Sequence, residues 1–164
     1  GLEREGYLVR ATGDVGEAVA FLGREPVDLV VTDLALPGGS GLEVARTAKR
    51  ARVTLPVVLV TGWPGRVDPQ TLVDHGIDAV VEPTLPIVAP VRGHGYHETF
   101  GDLDDLSLTH YWDWTGFPVV CLPSGVGSRS GLPVSVSLIG RPHADWDLLA
   151  WGAALQDELG TVAP

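Results

Sequence analysis

Three short apolar runs do most to limit what this chain can fold into: Val27–Thr32 (VDLVVT), Leu55–Val60 (LPVVLV) and Ile77–Val81 (IDAVV). A strand that is apolar without strict alternation suits a parallel sheet covered by helices on both faces, whereas a strand with one wet face alternates. Between the runs the spacing turns helical, over Gly16–Leu22, over Leu42–Ala51 with Leu42, Val44, Ala45 and Ala48 on one side, and over Pro69–Val73. Tyr7–Ala11 (YLVRA) alternates, which predicts a further short strand. Strands interleaved with helices predict an α/β fold with a mostly parallel sheet flanked by helices.

In such sheets the chemistry gathers at the carboxyl ends of the strands. Asp33, Thr61 and Glu82 stand there. The stretch VDLVVTDLALPGGSGLEVAR places Pro37 four residues and Gly41 eight residues after Asp33, and LPVVLVTGW ends a strand in Thr61. From about Leu2 to Glu82 the chain resembles the receiver domains of two-component signalling. That resemblance implies a flavodoxin-like sheet, Asp33 as phosphoacceptor, Thr61 as the switch hydroxyl, and a histidine kinase or another phosphodonor as partner. It also implies Mg²⁺, held in part by an acidic pair after the family's first strand, and a lysine after the last. Glu82 occupies that lysine slot, and the single lysine, Lys49, lies in the helix after Asp33. The first strand with its acidic pair would precede Gly1, and with no methionine in the chain residues upstream are expected. A carboxylate where an ammonium should clamp phosphoryl oxygens repels them. The expectation is a receiver impaired in phosphotransfer, with Asp33 left as an isolated Mg²⁺ ligand.

The second half reads differently. Phe117–Leu122 and Pro133–Ile139 are apolar strands joined by a Gly/Ser-rich loop. From Asp145, an expected N-cap, the pattern becomes helical, with Leu148, Trp151, Leu155 and Leu159 on one face and a stop at Gly160. The segments DAVVEPTLPIVAP, TGFPVVCLPSG and GLPVSVSLIGRPHADWDLLAWGAALQDELG resemble the C-terminal part of amidase-signature enzymes, departing from them at Ser135 and Ser137. That family's two serines and lysine lie far upstream of these motifs, so no catalytic residue is assigned. Amide hydrolysis, the alternative function, would need those groups from elsewhere. The Gly125–Gly131 loop is expected to be a plain strand connection, since Arg129 takes the centre of what would otherwise be a nucleophile elbow. The two resemblances meet near residues 76–83. They imply a receiver-like segment 1–82 and an amidase-like segment 83–164, merged in one domain in which the C-terminal strands complete a mixed sheet. One of those strands is expected to fill the slot of the missing first strand, since an unfilled edge invites self-association.

A net charge of −10 argues against nucleic acid or an anionic membrane as partner. No run approaches the ~20 apolar residues that span a bilayer. The lone Cys121 excludes an internal disulfide, reads as a small core residue, and fits a cytoplasmic location. His94, His97, Asp102, Asp104 and Asp105 crowd one loop without a spacing that fixes a metal site. Tyr111, Trp112 and Trp114 are expected to pack a helix on the sheet.

Overall fold

The computed structural model describes residues 2–62, 67–93 and 108–160. After a 3-10 turn at Leu2–Glu5, helix α1 (Val15–Leu22) leads to strand β1 (Val30–Asp33). A small β2–β3 hairpin (Ala35–Leu36, Gly39–Ser40) opens helix α2 (Gly41–Ala51). Strand β4 (Val57–Val60), helix α3 (Pro69–Asp74) and strand β5 (Ala79–Pro83) follow. The C-terminal half supplies α4 (Leu108–Thr115), β6 (Val119–Val126), β7 (Pro133–Gly140) and α5 (Asp145–Leu159).

The helix starts follow from side chains that accept otherwise orphaned backbone N–H groups. Asp14 accepts from Glu17 at 3.1 Å, Ser40 from Leu42 at 3.2 Å, and Asp68 from Thr71 at 3.1 Å just before Pro69. Helix α5 differs from the expectation. Its N-cap is Ala144, which has no capping side chain, and Asp145 is already helical, where with Asp147 it complements the helix dipole.

One five-stranded sheet runs in the order β1-β4-β5-β7-β6. The first three strands are parallel, and β7 and β6 join antiparallel. Helices α1 to α4 lie over one face, where Val30, Val57, Leu59, Val80 and Ile139 meet Val44, Ala45, Ala48, Leu72 and Trp112. On the other face Leu148 of α5 packs on Ala79 and Leu138. Gly152 sets that contact, because a Cβ there would stand 2.9 Å from Val120 Cγ1. The close approach centres the helix on Leu148 and Gly152, so Trp151 and Leu159, expected in the core, stay 43% and 41% exposed.

The C-terminal strands do complete a mixed sheet, but not at the expected slot. Pro133–Gly140 pairs along the far edge of β5, in register Ala79↔Gly140 through Pro83↔Val136. β6 and β7 pair with each other as an antiparallel hairpin and add to the sheet as a unit at the edge of β5. The Gly/Ser-rich loop is that hairpin's connection, closed by Gly127 N–H to Leu132 O at 2.8 Å. Tyr7–Ala11 forms no strand and leaves Tyr7, Leu8 and Val9 exposed. Alternation alone does not make a strand; a neighbouring ladder must accept its hydrogen bonds. Among the described residues β1 is paired on one side only, and Val31 and Val60 are 52% and 42% exposed on the α5 side of the sheet, beyond the strip that α5 covers.

Candidate functional site

Asp33 ends β1 with its side chain exposed, and Oδ1 accepts the Ala35 N–H at 3.2 Å, turning the chain into the β2–β3 hairpin. The Leu34 carbonyl accepts from Gly41 N–H at 3.1 Å and from Ser40 Oγ at 3.2 Å, which folds α2 back onto the strand end. Gly41 is buried so tightly that a Cβ would overlap the Asp33 carbonyl oxygen and stand 2.8 Å from Thr32 Oγ1. The glycine eight residues after Asp33 therefore has a steric reason.

Thr61 lies one residue beyond the β1–β4 pair Asp33↔Val60, so the acid and the hydroxyl residue occupy neighbouring strand ends. Thr61 is buried, and its N–H donates to Val81 O at 3.0 Å. Continuing the register Val60↔Val81 by one residue brings Thr61 beside Glu82. Strand alternation separates their roles: Asp33 shares the open face with Val31 and Val60, while Thr61 and Glu82 share the helix-covered face with Leu59 and Val80.

Glu82 is 2% exposed. Its Oε1 accepts the Trp112 indole N–H at 2.6 Å, while Oε2 is buried without a hydrogen-bond partner. Burial pushes the carboxyl up from 4.5 to about 7, against the opposing pull of the Trp112 hydrogen bond. Ser137, opposite Glu82 in the ladder, donates to Thr84 Oγ1 at 3.1 Å, and Cys121 Sγ lies 3.7 Å from Ser137 Oγ. The slot expected to bear on the phosphoacceptor thus holds an acid turned under α4. Trp112, Thr84 and Ser137 are the residues that sequence reasoning did not assign to this neighbourhood; an acid inside an apolar strand and the departure at Ser137 were the available signals.

At the other end of β5, roughly 13 Å away at ~3.3 Å per residue, Asp78 gathers the cations. Its Oδ2 accepts Lys49 Nζ at 2.7 Å and Val57 N–H at 2.8 Å, and its Oδ1 accepts Arg141 at 3.0 Å. Lys49 also donates to Leu55 O at 2.7 Å. Lys49 is therefore a structural residue, consistent with its placement in α2.

Two expectations on side chains change. Cys121 is exposed rather than a core residue, because β6 is the outermost strand of its edge. Trp112 is buried, edge-on to Tyr111 at 5.0 Å, but Trp114 is 89% exposed, since two residues along a helix reach nearly opposite faces. Tyr111 donates to Val67 O at 2.7 Å, and burial, then Asp68, raises its phenol. The acids and imidazoles of His94, His97, Asp102, Asp104 and Asp105 lie outside the described residues. Among the described residues no group of three or more His, Cys, Asp or Glu side chains comes together. Mg²⁺ needs near-octahedral oxygen ligands, and Asp33 alone does not make such a site.

A family model for the response regulator receiver domain matches residues 1–84. The chain belongs to this family. Over 80 residues it is 36% identical to the sensory transduction protein RegX3 of Mycolicibacterium smegmatis, covering 49% of this chain and 35% of RegX3. Over 84 residues it is 34% identical to the TorCAD operon transcriptional regulatory protein TorR of Escherichia coli O157:H7, covering 51% of this chain and 36% of TorR. The matches thus span about a third of those relatives. Among solved structures, a CheY-like receiver domain protein from Methanospirillum hungatei JF-1 aligns with a TM-score of 0.47 at 22% identity, over 70% of this chain and 83% of that one. A crystal structure of an amidase aligns with a TM-score of 0.43 at 26% identity, over 72% of this chain and 25% of that one. No described helix is long and apolar enough to cross a membrane.

Proposed function

We propose that the chain is a phosphorelay signalling module in which Asp33 accepts a phosphoryl group from a histidine kinase or a small phosphodonor and Thr61 reads it. An Asp33 oxygen would form the new bond to phosphorus as the donor's bond breaks, its electron pair leaving with the donor. The observation that carries this reading is the placement of Asp33 and Thr61 at adjacent parallel strand ends within the family match. The same geometry supports impaired turnover. Glu82 stands in the lysine slot, and Lys49 and Arg141 are engaged with Asp78. Residues 83–164 are proposed to be an amidase-derived segment acting as structural cover, the ladder between β5 and β7 being its attachment; the resulting chimera and its cytoplasmic location belong to the same proposal. TorR is named as a transcriptional regulator. A net charge of −10 disfavours contact between this chain and nucleic acid, so its output is proposed to run through protein contacts, self-association at the open β1 edge included. Incubation with acetyl phosphate followed by intact mass measurement tests the reading. One added phosphoryl group, lost in Asp33→Asn and removed by hydroxylamine, supports it; no addition at Asp33 over hours rejects phosphoacceptor function.

A further inference from the structure

Helix α5 buries one side only. Leu148 and Gly152 face β7 and β6, while the opposite side carries Trp146 at 84% exposed and Leu149 at 51%. Ala150, Ala153 and Ala154 are exposed beside them. At ~100° per residue, Trp146, Leu149, Ala150 and Ala153 form one stripe, the i, i+3, i+4, i+7 pattern of a buried helix face. A helix apolar on both sides belongs between two layers, and only one layer is present among the described residues.

The charges say what the second layer is. Asp145, Asp147, Asp157 and Glu158 are the charged residues of α5; all are acidic and all are exposed. On the same angular count Asp157 closes the end of the stripe, and Asp147 and Glu158 run along one flank. A second copy of this chain would bring a matching set of acids against them, adding to a net charge of −10 on each. An anionic membrane would be repelled for the same reason. The alanines let a second helix approach to about 8 Å between axes, and a rigid exposed indole is the kind of anchor on which interfaces concentrate their energy.

We propose that the outer face of α5, from Trp146 to Ala153, docks an amphipathic helix of another protein whose apolar stripe is flanked by Lys or Arg.

The test uses the whole chain and two synthetic helical peptides without tryptophan. They share a leucine stripe, one flanked by lysines and the other by glutamates. In amide correlation spectra the lysine-flanked peptide should shift the Trp146 indole and the amides of Leu149 and Ala153, and bind at least tenfold tighter than its glutamate counterpart. The double variant Trp146→Ala, Leu149→Ala should weaken it at least tenfold with an unchanged far-UV circular dichroism spectrum. Asp147→Asn with Glu158→Gln should erase most of the preference for lysine. Binding indifferent to the double variant would mean attraction to net charge alone and would overturn the proposal. So would a lack of shifts on α5, or a dimer by light scattering that Trp146→Ala dissolves, which would make a second copy the occupant.

Discussion

Trp112 and Glu82 meet through a 2.6 Å hydrogen bond that fastens α4 to the sheet at one end of β5, 30 residues apart in the chain. The bond satisfies one carboxylate oxygen and leaves the other buried without a partner. That arrangement tolerates a neutral acid far better than an anion, since an ionised group in a low-dielectric site costs several kcal/mol.

Stability should therefore fall as the medium becomes alkaline. The folded carboxyl, at about 7, lies above its ordinary 4.5, so the folded chain binds more protons than the unfolded chain between these values. The contribution is fully present below pH 4.5 and is lost as pH rises through 7, to a total of about 3 kcal/mol at ~1.4 kcal/mol per unit. Urea denaturation from pH 5 to 8.5 should show this slope, and Glu82→Gln should flatten it. An equally steep slope in the variant would place the titration elsewhere.

The Asp78 cluster separates a buried pairing from an exposed one. Lys49 and Asp78 are 16% and 12% exposed, whereas Arg141 is 52% exposed. Asp78→Ala leaves the buried Lys49 ammonium without a counter-charge, held only by the Leu55 carbonyl, removes the acceptor of the Val57 N–H, and should cost about 3–5 kcal/mol. Arg141→Ala should cost about 1 kcal/mol or less. Equal losses in denaturant titrations would contradict this division.

Gly41→Ala should be far more damaging than a glycine change on a surface helix. Its new methyl group would collide with the Asp33 carbonyl, forcing α2 off β1. A loss above about 2 kcal/mol is expected, together with displaced amide resonances from Asp33 to Leu36. A melting temperature within a degree of the parent would show that the strand end yields easily.

A chain ending at residue 84 should not fold cooperatively. Removing α4, β6 and β7 bares Val80 and Glu82, both at most 3% exposed in the whole protein, together with one edge of β5. A sharp thermal transition in that fragment would mean the first half is self-sufficient.

The sequence announced β1, β4 and β5 through valine-rich runs, since strands apolar on both faces leave a strong local signal. It also announced Asp33 and Thr61, whose neighbours match a family pattern. Glu82 was placed in the lysine slot, but its partner was not legible. A Trp112–Glu82 contact depends on how α4 crosses the sheet, which no local spacing encodes. Tyr7–Ala11 misled for a related reason, because strand formation is settled by a neighbour rather than by alternation. The docking edge of the hairpin was hidden too. The first-strand slot beside β1 was the expected site, and no local pattern in Pro133–Gly140 marks β5 as its partner.

The position of β5 has a consequence for how the chain reaches its fold. Ala79–Pro83 gains its parallel neighbour β4 from nearby residues but its antiparallel neighbour from Val136–Gly140, more than fifty residues later. During synthesis at ~5–20 residues per second, the strand would wait several seconds with one flank bare and Glu82 in water, ionised at neutral pH. Closing the sheet is then a late event that draws a proton from solvent as it happens. A slightly acidic compartment should favour the closed sheet, and an alkaline one should shift the balance toward the half-built sheet.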